Sequence, residues 1–210
     1  EQPVTPYHAQ TAFDATCLNI KQKDIDYSQL LRLVRSGADV RCLLTGPSGC
    51  GKSNLVHQLA EESKRPLIVI KASDILSKYV GDNERNIAEA FSQATHSGAM
   101  LLFDEVDSLL RSRQNAERSW EVSQVNELLV QLEQFRNPFF AATNFGDAID
   151  KAAQRRFDYK LEFDYLAPEQ VLTLYCTVLK ISQQQVPTHI KTQLSCLSML
   201  TPGEFAILAR

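Results

Sequence analysis

An eight-residue stretch at residues 46–53 constrains the fold more than any other part of the chain. It reads GPSGCGKS and matches the phosphate-binding pattern G-x-x-x-x-G-K-[ST] in full. An apolar run, Val40–Thr45, precedes it and a helical pattern follows it. Glycines let successive backbone N–H groups surround a phosphate, and a helix that starts near Lys52 directs its positive end at the same anion. The stretch therefore predicts a strand, a loop and a helix that bind a nucleotide phosphate.

Four more apolar runs follow, and they alternate with helical patterns, which is typical of a parallel sheet with crossover helices. We predict an α/β fold: a P-loop parallel five-stranded sheet flanked by helices, followed by a small C-terminal all-α lid subdomain. The predicted nucleotide-binding core is residues 1–166, in which residues 1–12 are an extended lead-in, and the helical lid is residues 167–210. The four further strands are predicted at Pro66–Lys71, Ala99–Val106, Pro138–Thr143 and Tyr159–Tyr165.

Composition excludes several classes of protein. The chain has 210 residues and a formal net charge of −3, with 44% hydrophobic and 22% charged residues, as in ordinary globular domains. A net negative charge argues against a protein that binds nucleic acid, so we expect no nucleic-acid partner. No apolar run approaches the roughly 20 residues that span a bilayer. The five cysteines form no CxxC pair, so we expect a reducing, cytoplasmic location.

The phosphate-binding pattern assigns roles to individual residues. Lys52 is expected to neutralise β- and γ-phosphate oxygens, and the Ser53 hydroxyl to take one position on Mg²⁺. Cys50 is expected to turn its backbone toward the phosphate and its thiol outward. The residues expected to contact the nucleotide here are Gly46, Pro47, Ser48, Gly49, Cys50, Gly51, Lys52, Ser53 and Asn54.

Two later strands end in polar residues. Asp104 and Glu105 follow the apolar run Leu101–Phe103, and ligands of open α/β sheets collect at the carboxyl ends of strands. Asp104 is expected to act with Ser53 on Mg²⁺, and Glu105 to orient or deprotonate the water that attacks the γ-phosphate, which favours hydrolysis over group transfer. Asn144 ends the next strand, where it is either a plain turn residue or a donor to the γ-phosphate or the water.

Two adjacent arginines precede the last strand. Arg155 and Arg156 at a helix end are either a solvated surface that compensates the helix dipole or a source of an arginine finger. A finger would stabilise charge on a γ-phosphate bound by a neighbouring copy and would contribute on the order of 10³–10⁵ in rate.

These motifs, in this order and spacing, resemble the Walker A, Walker B, sensor 1 and arginine-finger regions of the classical AAA ATPases, and the resemblance covers roughly Phe13 to Arg210. It implies hydrolysis of ATP with Mg²⁺ in a self-assembled ring, usually a hexamer, that remodels or unfolds protein substrates threaded through its centre. The adjacent arginines resemble those of the katanin and spastin branch, and which arginine reaches the nucleotide stays open.

Two further segments carry the resemblance. Lys78, Tyr79, Val80 and Gly81 look like a substrate-gripping pore loop, although a partly buried aromatic at a strand-to-helix junction is the alternative for Tyr79. Residues 201–204 resemble the lid element that closes on the nucleotide, which adds Gly203 and Glu204 to the expected contacts.

The sequence leaves other functions open. The chain could be the ATPase module of an ATP-dependent protease whose peptidase lies elsewhere, or a nucleic-acid-directed AAA+ switch. A scaffold that binds nucleotide without turnover is disfavoured, because the residues expected for hydrolysis are all present.

Overall fold

A computed structural model describes residues 17–75, 82–110, 119–146 and 149–208, apart from the side chains of Gln22, Ser108 and residues 119–122. The predicted α/β fold is confirmed, and the five predicted strands are present with ends that differ by at most two residues. In chain order the strands are β1 Ile20–Lys23, β2 Arg41–Thr45, β3 Leu67–Lys71, β4 Met100–Asp104, β5 Phe139–Thr143 and β6 Tyr159–Phe163.

The strands form one sheet in the order β1-β6-β2-β5-β4-β3, in which every pairing but one is parallel. The exception corrects the predicted count of five strands, because β1 pairs antiparallel with β6 as a sixth strand at the edge. The sequence of β1, IKQK, has a single apolar residue and therefore carries no strand signal. The strand β2 lies between β6 and β5, which places the phosphate-binding loop near the middle of the sheet.

Helices cover both faces of the sheet. Side chains alternate along β2, so Leu43 packs in one core and Cys42 and Leu44 in the other. A cluster of five phenylalanines, with ring centroids 5.1–6.2 Å apart, fills the first core. The helices up to β6 are α1 Tyr27–Ser36, α2 Lys52–Ser63, α3 Ala72–Ile75, α4 Asp82–Ser97, α5 Ser119–Gln134 and α6 Lys151–Gln154, with a 3₁₀ turn at Val106–Ser108.

After β6 the described chain is helical. The helices α7 Pro168–Leu179, α8 Thr188–Ser195 and α9 Pro202–Leu208 share a small apolar cluster of their own, centred on Leu166, Val171 and Phe205. The division into a core of residues 1–166 and a lid of residues 167–210 stays a prediction. Within the described ranges, no helix combines the length and the apolar character that crossing a bilayer requires.

Candidate active site

The loop between β2 and α2 depends on its glycines for its path. Gly46 has φ +137°, and a Cβ there would lie 2.3 Å from the Phe163 carbonyl oxygen, which no side chain tolerates. Gly51 has φ +97° and begins α2 without a side-chain cap. The first turn of α2 therefore has no side-chain cap of its own, as an anion site at a helix N-terminus requires. Ser48 and Asn54 are exposed beside this loop.

Lys52 is the cation of the site. Its side chain lies almost fully inside the protein, 7% exposed, and its Nζ donates to the carbonyl oxygens of Gly46 and Pro47, each at 2.7 Å. A third bond of 2.8 Å reaches Asn144 Oδ1, so the phosphate loop and the end of β5 are already joined. Burial lowers the pKa of Lys52, and the neighbouring Asp104 and Asp107 oppose that shift. All three oxygen acceptors are neutral, so the ammonium can still attract an anion.

The structure corrects the expectation for Cys50. Its side chain is 1% exposed and its Sγ lies 3.7 Å from Lys52 Nζ, so the thiol points into the protein instead of outward. Gly49 and Gly51 on either side take the left-handed backbone conformation, which turns the intervening residue inward. Burial raises the pKa of the Cys50 thiol although the ammonium opposes it, and the group is therefore a neutral packing residue.

Ser53 and Asp104 meet as the sequence suggested. Ser53 Oγ donates to Asp104 Oδ2 at 2.8 Å, which joins the second residue of α2 to the end of β4. A hydroxyl and a carboxylate in contact are the hard oxygen donors that Mg²⁺ prefers, and Mg²⁺ usually retains several waters. The pair fits a magnesium ion bound between this edge of the sheet and nucleotide phosphates.

Glu105 occupies a strained backbone position at the same edge. Its φ of +58° is left-handed, its N–H donates to Asp104 Oδ1 at 3.0 Å, and its side chain is exposed. Such a conformation costs a non-glycine residue about 1–2 kcal/mol and is typical of functional sites. The turn separates the two carboxylates, so that Asp104 faces Ser53 while Glu105 can serve a different part of a ligand.

Two hydrogen bonds fix the turn that carries Asn144. The buried Thr143 hydroxyl donates to Asp107 Oδ1 at 3.1 Å and accepts from the Phe145 N–H at 3.0 Å. Asn144 lies between Thr143 and Phe145 in the chain, and its amide oxygen accepts the hydrogen bond from Lys52 described above. Asp107 and Thr143 thus hold Asn144 in place, a role that the sequence did not indicate. The sequence signal that could have indicated them was their position, since Thr143 directly precedes Asn144 and Asp107 lies two residues after Glu105.

The two arginines differ in their surroundings. Arg156 Nε donates to Glu133 Oε1 on α5 at 3.0 Å, and its Nη1 donates to the Ala152 carbonyl oxygen at 2.8 Å. Arg155, at the end of α6, is exposed, and no described residue forms a hydrogen bond or ion pair with its guanidinium. The sequence could not separate these two residues; the structure shows that Arg156 is engaged within its own chain.

The last helix touches the phosphate loop directly. The Gly203 N–H donates to the Gly49 carbonyl oxygen at 3.0 Å, and a Cβ on Gly203 would lie 3.1 Å from Gly49 Cα. Glu204 instead caps its own helix, where its Oε2 accepts from the Thr201 N–H at 2.5 Å and from the Thr201 hydroxyl at 3.1 Å. Gly203 is therefore close to the nucleotide loop, while the Glu204 carboxylate is occupied locally. The pore-loop residues Lys78, Tyr79, Val80 and Gly81 lie outside the described residues.

Comparison with known proteins identifies the family. The model of the AAA family, described as the ATPase family associated with various cellular activities, matches residues 42–165. The chain is 35% identical to Nuclear valosin-containing protein-like of Mus musculus over 156 residues, which is 71% of this chain and 18% of that protein. It is 37% identical to Ribosome biogenesis ATPase RIX7 of Saccharomyces cerevisiae over 145 residues, 66% of this chain and 17% of the relative.

A plant relative, Cell division control protein 48 homolog C of Arabidopsis thaliana, is 29% identical over 176 residues, 77% of this chain and 21% of its own length. The chain belongs to the AAA family of ATPases. It spans only about a fifth of the length of these relatives. The closer likeness to katanin and spastin stays a prediction, since the relatives above carry other names, and so does the cytoplasmic location.

Proposed function

We propose that this chain is the motor of a ring-forming Mg²⁺-dependent ATPase that remodels, unfolds or disassembles proteins by threading them through a central pore. In this proposal Arg155 of each copy completes the nucleotide site of the next, in a ring that we take to be a hexamer of identical chains. The observation that carries it is the contrast between the two neighbouring arginines. The side chain of Arg156 is bonded within its own chain, whereas the guanidinium of Arg155 has no hydrogen bond or ion pair with a described residue.

The contrast supports a site shared between copies. Arginine has a high cost of immobilisation, and a guanidinium that stabilises its own domain is normally bonded there, as that of Arg156 is. Arg155 follows directly from a short helix whose start is capped by Asp150, so its backbone has a defined position while its side chain remains available. A second molecule that presents a phosphate would give it bidentate acceptors.

The other residues support hydrolysis in the site that each chain supplies. Ser53 and Asp104 would hold Mg²⁺, which supplies positive charge to the phosphate oxygens. Lys52 would neutralise phosphate oxygens, Asn144 would donate an amide N–H toward the γ-phosphate or the water, and Glu105 would accept the proton of that water. Gly203 keeps the last helix in contact with the loop that binds the phosphates.

Protein substrates are proposed from the family resemblance of Lys78, Tyr79, Val80 and Gly81 to a pore loop. An exposed aromatic next to glycine would grip an extended polypeptide by apolar contact, without a sequence preference. One matched relative, RIX7 of yeast, is named a ribosome biogenesis ATPase. Proteins of ribosome biogenesis are accordingly the first candidate substrates to test.

The experiment is the ATPase rate per subunit against protein concentration, for the unaltered protein, Arg155→Ala and Arg156→Ala. If sites are shared, the rate per subunit rises with concentration, and Arg155→Ala lowers the saturated rate by about 10³-fold or more while nucleotide affinity changes little. Arg156→Ala lowers it far less, because this residue bonds within its own chain. A rate that is independent of concentration, or an Arg155→Ala variant with full activity, would overturn the proposal.

A further inference from the structure

The short helix α6 is held at both ends by contacts to the active-site edge of the sheet. At its start, the Asp150 N–H donates to the Leu110 carbonyl oxygen at 2.9 Å, in the segment that follows Glu105. At its end, Gln154 Nε2 donates to the carbonyl oxygens of Gly146 at 3.4 Å and Ile149 at 3.3 Å. A four-residue helix has little stability of its own, so these contacts determine where it lies.

Gln154 joins two parts of the site that act on different nucleotides. Gly146 lies two residues beyond Asn144, whose Oδ1 accepts from Lys52 Nζ at 2.8 Å and so belongs to the chain's own site. On the other side, Gln154 immediately precedes Arg155, which in the proposed function serves the neighbour's nucleotide. Its amide is thus a direct side-chain link from the Asn144 turn to the end of α6.

We propose that Gln154 is a positioning residue that places Arg155 for its action on the neighbouring copy. It does so by hydrogen bonding to the backbone of the Asn144 turn, so that a shift of that turn in one site moves the arginine that completes the next. The inference rests on the proposed function, since it assigns a determinant to the arginine that the proposed function uses.

The amide chemistry makes the assignment specific. Both of the bonds described use the NH₂ group as donor, and both acceptors are backbone carbonyl oxygens. A carboxylate of equal length would repel these oxygens, an aliphatic side chain would leave them without the donor, and an ammonium could replace the amide. Substitutions at Gln154 therefore distinguish a requirement for a hydrogen-bond donor from a requirement for a side chain of this length.

The experiment mixes two kinds of subunit of the intact protein. The receiver carries Arg155→Ala and keeps its own nucleotide site, whereas the donor carries Glu105→Gln and keeps Arg155. Each alone should hydrolyse ATP very slowly, and an equal mixture should recover activity because donors supply Arg155 to receivers. A mixture that stays inactive overturns the proposed function itself and with it this inference.

Given an active mixture, Gln154→Leu is added to one partner at a time. In the donor it should lower the activity of the mixture at least tenfold, and in the receiver it should change it less than twofold. Equal loss in both partners, loss in the receiver alone, or loss in neither would overturn the inference while leaving the shared site intact. A merely structural role would give the first of these results.

Three further variants in the donor complete the design. Gln154→Lys keeps an N–H donor and should retain most of the activity. Gln93→Leu makes the same change on the exposed face of α4 and should have no effect. If Gln154→Leu lowers the melting temperature or prevents co-assembly, Gln154→Glu replaces it under the same criterion, because it preserves side-chain length and lacks the donor.

Discussion

At the scale of single residues, Gly46 shows how closely the phosphate loop approaches the sheet. The Phe163 carbonyl oxygen and Cβ both lie within 3 Å of the position that a Cβ on Gly46 would take. Gly98 also has positive φ, +64°, but no atom lies within 4 Å of the position that its added Cβ would take. A comparison of alanine substitutions at these two glycines therefore distinguishes the cost of a steric clash from the cost of the backbone conformation.

We expect Gly46→Ala to lower the free energy of unfolding by about 2–5 kcal/mol, since it combines overpacking against β6 with a backbone conformation that alanine avoids. Gly98→Ala should cost only about 1–2 kcal/mol, for the backbone conformation alone. Denaturant unfolding of both variants measures the difference. Equal losses would show that the close approach to Phe163 is not restrictive.

The sequence grouped residues that the structure brings together, but it did not indicate their surroundings. Lys52, Asn144, Ser53 and Asp104 could be grouped because each follows or ends a strand that a motif marks, and the ends of parallel strands share one edge. The inward thiol of Cys50 was not predictable in this way. It depends on the left-handed backbone of the glycines beside it, which a motif does not specify.

Side-chain hydrogen bonds between residues that are distant in the sequence could not be predicted either. The bond from Thr143 to Asp107 joins residues 36 positions apart, and Gln154 reaches a backbone oxygen eight positions away. Neither residue type is distinctive in its local segment. Such positioning residues become visible only when the fold brings the acceptor into reach.

At the scale of elements, α6 depends on its first residues for stability. Asp150 precedes the helix, and its Oδ1 accepts from the N–H groups of Ala152 at 2.8 Å and Ala153 at 3.2 Å. With only four helical residues, these bonds are a large part of what keeps the helix formed.

Asp150→Ala should therefore lower the free energy of unfolding by about 1 kcal/mol, within a range of roughly 0.5–2 kcal/mol, and should also lower the ATPase rate. Asp150→Asn keeps an acceptor oxygen at the same position and should preserve most of both. Thermal unfolding and steady-state ATPase measurements test this. If Asn is no better than Ala, the carboxylate acts by charge and not as a helix cap.

The elements themselves were largely predictable. The strands β4 and β5 are continuous apolar runs next to turn residues, as strands buried on both faces should be, whereas β6, YKLEF, alternates apolar and charged residues. The strand β1 was not predicted because it lies at the edge of the sheet and has one apolar residue in four. Its pairing with β6 is a tertiary contact that joins Ile20 to Phe163, which are far apart in the chain.

At the scale of the whole molecule, burial separates the five cysteines into two groups. Cys17, Cys42, Cys50 and Cys176 are buried, and Cys196 is exposed near the end of α8. Burial raises the pKa of Cys42 and of Cys50, which keeps both as unreactive thiols. A thiol reagent should therefore react with the exposed Cys196 faster than with the four buried cysteines.

We expect Ellman's reagent to modify one thiol per native chain rapidly and the other four only on unfolding. Cys196→Ser should remove the fast phase, and Cys50→Ser should leave it unchanged. The absorbance of the released thiolate gives the count directly. A fast phase that depends on Cys50 would mean that the phosphate loop opens to solvent more often than its packing implies.

The contact between Gly49 and Gly203 makes the residue types allowed at these two positions depend on each other, although the positions lie far apart in the chain. A methyl group on either one meets the segment that carries the other, Thr201 Oγ1 at 2.8 Å for Gly49 and Gly49 Cα at 3.1 Å for Gly203. A side chain at Gly49 would require Thr201 to move, and one at Gly203 would require Gly49 to shift. Over evolutionary time the two sites should consequently behave as a single character, both remaining glycine or both changing together with the path of the backbone.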